Sequence, residues 1–203
     1  MLGLTGCCTV CVYSAISIDT ARNNLTGPLQ NPGEFGGHTW FTIENSMNEE
    51  SASREPTKED LITFSFGPRE PSSTKELCWG TPGGNWPVDG YSNEKRYVMA
   101  KRCWSADRET CCNLKQDVNE FNKNPEEFSA FNYCTSKTVE LLRRHNIDVP
   151  DGEGEIEIPY FFNVSAPNPR DMYNQLNSLP DTLQQQCGTN ETGGKKNNTG
   201  GLK

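Results

Sequence analysis

Nine cysteines in 203 residues constrain this chain more than any other feature. They are Cys7, Cys8, Cys11, Cys78, Cys103, Cys111, Cys112, Cys134 and Cys187. An odd count reads as pairs plus one free thiol. Setting Cys134 aside leaves enough for up to four disulfides, a load that belongs to an oxidising compartment. A structural zinc site is disfavoured. Cys8 and Cys11 have zinc-like spacing, but no second pair repeats it, and Cys111 adjoins Cys112. The opening stretch MLGLTGCCTVCVYSAISIDT has neither a basic n-region nor a small-residue cleavage site, so it does not read as a signal peptide. No segment is apolar for long enough to span a membrane. Disulfide-type cysteines without a leader leave two readings: a mature form, or export by a route that uses no cleavable signal.

One thiol stands apart. Phe131 to Asn146 reads FNYCTSKTVELLRRHN, a loop that delivers Cys134 to the first turn of a helix. Val139 and Leu142 share a face, widened by Thr138 and Leu141. Arg143, Arg144 and His145 crowd the last turn, where cations suit the helix dipole. Asn146 is a left-handed stop. Unpaired N–H groups at a helix N-terminus stabilise a thiolate, so the thiol pKa is expected to fall. A buried structural cysteine would have the same sequence context.

The other elements follow from periodicity. Thr9–Ile18 is a strand or extended arm, and His38–Ile43 a strand with His38, Trp40 and Thr42 on one face. Leu61–Phe66 is a second strand, on which Thr63 and Ser65 oppose Ile62, Phe64 and Phe66. Asn23–Gly37, Asn45–Asp60 and Pro71–Asn93 read as connections. The last is long enough to be functional or stapled. Glu94–Trp104 holds a third strand. Asp107–Asn122 is a helix through Leu114, Val118 and Phe121. Glu155–Val164 is a late strand interrupted by Pro159, and Asp171–Gln186 a short helix broken by Pro180. Residues 1–187 are read as one domain with its core over about 38–146, and 188–203 as a polar tail. A net charge of −8 argues against a nucleic-acid partner.

A cysteine hydrolase needs a thiolate, an imidazole within hydrogen-bond reach, and a polar group that orients the imidazole. The chain has two histidines, His38 and His145. His145 lies about three helical turns from Cys134, roughly 16 Å along the axis, and cannot serve that thiol. The base would be His38, which opens its strand after Gly36-Gly37. Glycines there let another backbone or a substrate approach closely.

In order and spacing, GGHTWFTI, TFSFGP and FNYCTSKTVELLRRHNI resemble the permuted branch of the NlpC-type papain-like fold. In that branch the histidine strand precedes the cysteine helix. The resemblance covers about His38 to Asn146 and implies an α+β papain-like domain, a small antiparallel sheet packed on the helix that carries the nucleophile. It implies Cys134 as nucleophile, His38 as base and Ser65 as orienter. Serine departs from the usual His, Asn, Gln or acidic residue, and Glu44 is the alternative. No metal or organic cofactor is implied. The implied chemistry is amide hydrolysis by a thiol. The chain is also similar to type VI secretion amidase effectors, which cut peptidoglycan peptides in the periplasm of a target cell. That likeness implies secretion, a peptidoglycan peptide substrate, an immunity protein and a secretion-apparatus partner. Two alternatives stay open: a thiol acyltransferase or lipase on the same fold, and a non-catalytic, disulfide-rich secreted binding module.

Overall fold

The computed structural model describes residues 8–23, 37–45, 61–70, 80–129, 132–158 and 162–180. The elements are β1 (Cys8–Ser17), α1 (Ile18–Asn23), β2 (His38–Asn45), β3 (Leu61–Phe64), β4 (Phe66–Pro68), β5 (Thr81–Asn85), β6 (Tyr97–Ala106), α2 (Arg108–Lys123), β7 (Glu127–Phe128), α3 (Cys134–Arg144), β8 (Glu153–Ile158), β9 (Phe162–Pro167) and α4 (Pro169–Ser178). A 3-10 turn at Asp89–Ser92 precedes β6. The strands form three small antiparallel sheets, ordered β3-β2-β1-β6, β4-β5-β7 and β8-β9. The architecture is therefore α+β. No helix among the described residues is long and apolar enough to cross a membrane.

β1 is a central strand rather than an arm. It pairs with β2 on one side and β6 on the other. Its alternate residues Cys8, Val10, Val12, Ser14 and Ile16 are buried, and so are Cys11 and Ala15 on the opposite face. A strand covered on both faces reads as a near-continuous run of apolar and small residues, which is what CTVCVYSAIS is. Two disulfides anchor it. Cys11 is bonded to Cys103, its direct neighbour across β6, and Cys8 is bonded to Cys111 on α2.

The helices cover the face of the main sheet that carries Val10, Val12, Phe41, Ile43 and Phe64. α2 starts at Asp107, whose carboxylate accepts the Thr110 N–H at 2.7 Å. It buries Cys111, Leu114, Val118 and Phe121. The Phe121 ring meets Phe64 and Phe66 edge-on, with centroids 5.1 Å away in each case. α3 ends as its sequence suggests. Asn146 has φ 58°, the Asn146 N–H bonds the Arg143 carbonyl, and the Ile147 N–H reaches back to the Leu142 carbonyl. This Schellman closure satisfies carbonyls the helix would otherwise leave bare.

Several expectations are corrected. The second strand breaks at Ser65, where the chain leaves the main sheet as β3 and enters the small one as β4. Phe64, Ser65 and Phe66 are consecutively buried: both Phe rings meet Phe121, and Ser65 between them turns to His38. TPGGN inside the long connection is strand β5, where Gly83 allows the close approach of Phe66 and of the Glu126 carbonyl. The late segment is a hairpin, β8 and β9. α1 carries no sequence signal beyond six residues and was not expected. Cys112, expected to have its own partner, is a free, exposed thiol. Cys7, Cys78, Cys187 and the tail at 188–203 lie outside the described residues.

Candidate active site

The site forms where the main sheet runs out of strand. β3 pairs with β2 only from Phe41 to Glu44, so the β3-side edge of β2 is open at His38, Thr39 and Trp40. Ser65, the first residue past β3, folds back over that opening, and its Oγ lies 2.7 Å from His38 Nε2. The two side chains are 2% and 4% exposed. Glu44 lies six residues further along β2, roughly 20 Å from His38 at strand rise. It pairs across to Thr9 and Leu61 instead.

Aromatic rings enclose the imidazole. Tyr91, on the 3-10 turn, stacks on His38 with centroids 5.2 Å apart and planes 14° from parallel. Trp40, two residues along β2, is 5.7 Å from the same ring, and Tyr13 stacks on Trp40 at 5.3 Å. The Tyr91 hydroxyl takes a hydrogen bond from the Trp86 indole. The Trp86 main-chain N–H bonds the Ser65 carbonyl at 2.8 Å. Ser65, Trp86 and Tyr91 thus form one continuous support around His38. Burial holds the imidazole neutral, with its pKa pushed down to about 3, and pushes the Tyr91 phenol up to about 12.

Cys134 opens α3. Its neighbour Tyr133 caps the helix through its own N–H, which bonds Ser136 Oγ at 2.9 Å. The thiol is buried and free of any disulfide. The Thr39 N–H, directly after His38, is directed at the sulfur, as are the N–H groups of Cys134 and Thr135. The Thr135 hydroxyl lies 3.9 Å from Sγ. A chain of buried hydroxyls fixes this helix turn to the sheet. Thr135 donates to Thr39 at 2.9 Å, Thr39 lies 3.1 Å from Ser14, and Ser14 donates to the Pro169 carbonyl at 2.7 Å. Gly37 permits the fit, because a Cβ there would lie 2.6 Å from the Ala15 carbonyl.

One expectation about the thiol reverses. Burial pushes the Cys134 pKa up, and the N–H groups and the Thr135 hydroxyl only partly offset it. Desolvation outweighs the helix terminus here. The resting site is a neutral thiol and a neutral imidazole. Among the described residues no hydrogen bond joins them; Nε2 is engaged by Ser65 and the sulfur by Thr135.

His145 caps the far end of α3 and lies 3.0 Å from Asp117 on α2, well away from the thiol. Two clefts, of about 550 and 280 Å³, run beside β5 and between α2 and α3; neither is lined by Cys134, His38 or Ser65. Among the described residues no His, Cys, Asp and Glu cluster is arranged to hold a metal. Tyr91, Trp86, Thr39 and Tyr133 escaped the sequence reading. The one signal for the first two was the length of the Gly/Pro/Trp connection that holds them. No family model, curated protein or solved structure matches the chain.

Proposed function

We propose that the chain is a cysteine amidase or endopeptidase on a permuted NlpC-type papain-like fold, with Cys134 as nucleophile, His38 as base and Ser65 as orienter. One observation carries it: Ser65 holds His38 at Nε2 while the next residue, Thr39, presents its N–H to the Cys134 sulfur. With Nε2–H donated to Ser65, Nδ1 is the ring nitrogen left to accept the thiol proton. Proton transfer to Nδ1 gives a thiolate already met by three N–H groups. The thiolate adds to an amide carbonyl, and the C=O electron pair moves to oxygen. His38 returns the proton to the leaving nitrogen as the C–N bond breaks. Water, deprotonated by the same imidazole, then releases the acyl group from sulfur. Because the resting pair is neutral, His38 acts as a general base at the moment of attack rather than as half of a standing ion pair.

The two disulfides among the described residues suit an oxidising working compartment. With the resemblance to type VI secretion amidase effectors, they favour peptidoglycan stem peptides as substrate in the periplasm of a target cell. An immunity protein and a secretion-apparatus partner would accompany that role.

The burial of both reacting groups favours one rival, a non-catalytic binding module pinned by disulfides. Purified sacculi decide between them. The wild-type protein should release new amino groups, and Cys134→Ala and His38→Ala should each abolish release while the chain stays folded. Release that survives Cys134→Ala would move the nucleophile elsewhere. Absence of release from both sacculi and isolated stem peptides would favour the binding module.

A further inference from the structure

The residue before the nucleophile carries a hydroxyl with nothing to bond. Tyr133 is 9% exposed, and among the described residues its Oη has no hydrogen-bond partner. Buried polar atoms are paired in the great majority of cases, and one that is not calls for a reason. Thr42 and Thr138 also carry unpaired buried hydroxyls. Tyr133 differs from them in position: it is covalently next to Cys134, and the charges of Cys134 and Asp171 both reach its phenol. Asp171, whose carboxylate accepts from Arg170 at 2.8 Å, makes no hydrogen bond to that hydroxyl.

We infer that the Tyr133 hydroxyl is an oxyanion donor, held empty for the carbonyl oxygen of an acyl substrate as Cys134 attacks it. This rests on the proposed thiol chemistry. The first N–H groups of a helix lack intrahelical acceptors, so the Cys134 N–H, directed at the sulfur in the resting site, is a second donor for the same oxygen once the C–S bond has formed. As the C–S bond forms, the carbonyl π pair becomes an alkoxide lone pair, and Tyr133 O–H bonds to it without giving up its proton. Burial raises the phenol pKa, and the Asp171 carboxylate, with Cys134 whenever it is ionised, raises it further, so the group stays a donor throughout the working pH range. The substrate class that follows is one with a planar acyl carbon that becomes tetrahedral: amides, esters and thioesters.

A peptide aldehyde tests this, since its hemithioacetal reproduces the tetrahedral oxygen. Acetyl-alanyl-alaninal is titrated against wild type, Tyr133→Phe and Cys134→Ala, with adducts located by mass spectrometry. Iodoacetamide alkylation of Cys134 serves as control, because that displacement builds no oxyanion. Tyr133→Phe should raise the aldehyde concentration for half-saturation by about 100-fold. It should leave the alkylation rate unchanged and the thermal midpoint unchanged or higher, since the lost oxygen made no bond. Equal half-saturation in wild type and Tyr133→Phe, with the adduct on Cys134, overturns the Tyr133 assignment alone. Failure of wild type to form a Cys134 adduct overturns the hydrolase reading, and the assignment with it.

Discussion

Ser65 Oγ lies 2.7 Å from His38 Nε2, although His38 opens a strand of the main sheet and Ser65 lies in neither β3 nor β4 but between them. The contact exists because the chain between β3 and β4 changes sheets at Ser65. A regular strand would have continued along β2 and filled the edge where Cys134 now sits. The defect in the sheet and the candidate site are therefore one feature. Thr39, left without a strand partner on that side, turns its N–H to the sulfur.

Removing the Ser65 hydroxyl tests that link. Ser65→Ala leaves the buried Nε2 of His38 without its hydrogen-bond partner, which should destabilise the fold by about 1–3 kcal/mol. Amide release should fall by about 10- to 100-fold. The loss should stay below the roughly 10⁴-fold seen when a charged orienter is neutralised, because serine brings no charge to the imidazolium. Urea midpoints and initial rates measure both. Activity equal to wild type would remove Ser65 from the machinery.

The neutral, buried His38 predicts sensitivity to acid. Its folded pKa is pushed down to about 3 from 6.5, so between those values the unfolded chain binds a proton that the folded chain does not. Stability from this source is complete above pH 6.5 and is lost as pH falls toward 3. At about 1.4 kcal/mol per pH unit, the loss by pH 4 is about 3 kcal/mol. Urea unfolding at pH 7 and pH 4 should show it, and His38→Phe should flatten the slope. An unchanged slope in that variant would mean that His38 titrates normally.

How much of this was legible in the sequence depends on what fixed each element. α2 and α3 were, because Leu114, Val118 and Phe121, and Val139 and Leu142, repeat at helical spacing and are buried. The His38 and Ser65 positions came from motif order. Their contact came from the break at Ser65, which no alternation pattern encodes. β5 was hidden, since Pro82, Gly83 and Gly84 are poor strand formers, and the neighbours that need the space at Gly83 are tertiary. The raised thiol pKa was hidden too. A helix N-terminus is visible in sequence, whereas the burial that outweighs it is tertiary.

That burial sets the order of thiol labelling. Cys112 is exposed and Cys134 is buried, and both are free. Maleimide at pH 7 should label Cys112 first. Cys134 should lag, because burial hides the thiol and pushes its pKa above the ordinary thiol range. Peptide mapping of a time course at pH 7 reads this out. Faster labelling of Cys134 than of Cys112 at pH 7 would mean an open site with an ionised thiol.

The two disulfides among the described residues should not contribute independently. Cys8–Cys111 and Cys11–Cys103 join residues 103 and 92 positions apart. In the chain-entropy account, closing a loop of either length stabilises the fold by about 4–5 kcal/mol. The loops are nested, however. With Cys11–Cys103 in place, Cys8–Cys111 closes a further loop of only about a dozen residues, worth roughly 3 kcal/mol in that account. The same holds in reverse. Each double-alanine variant should therefore lose about 3 kcal/mol, since the surviving bridge still closes a long loop. The quadruple variant should lose well over twice that, as both the long and the short loop open. Urea unfolding under oxidising conditions measures all three. Losses that simply add would show that the unfolded chain does not feel the two bridges as one cross-link, and would point to native contacts around Cys103 and Cys111 as the source of the stability.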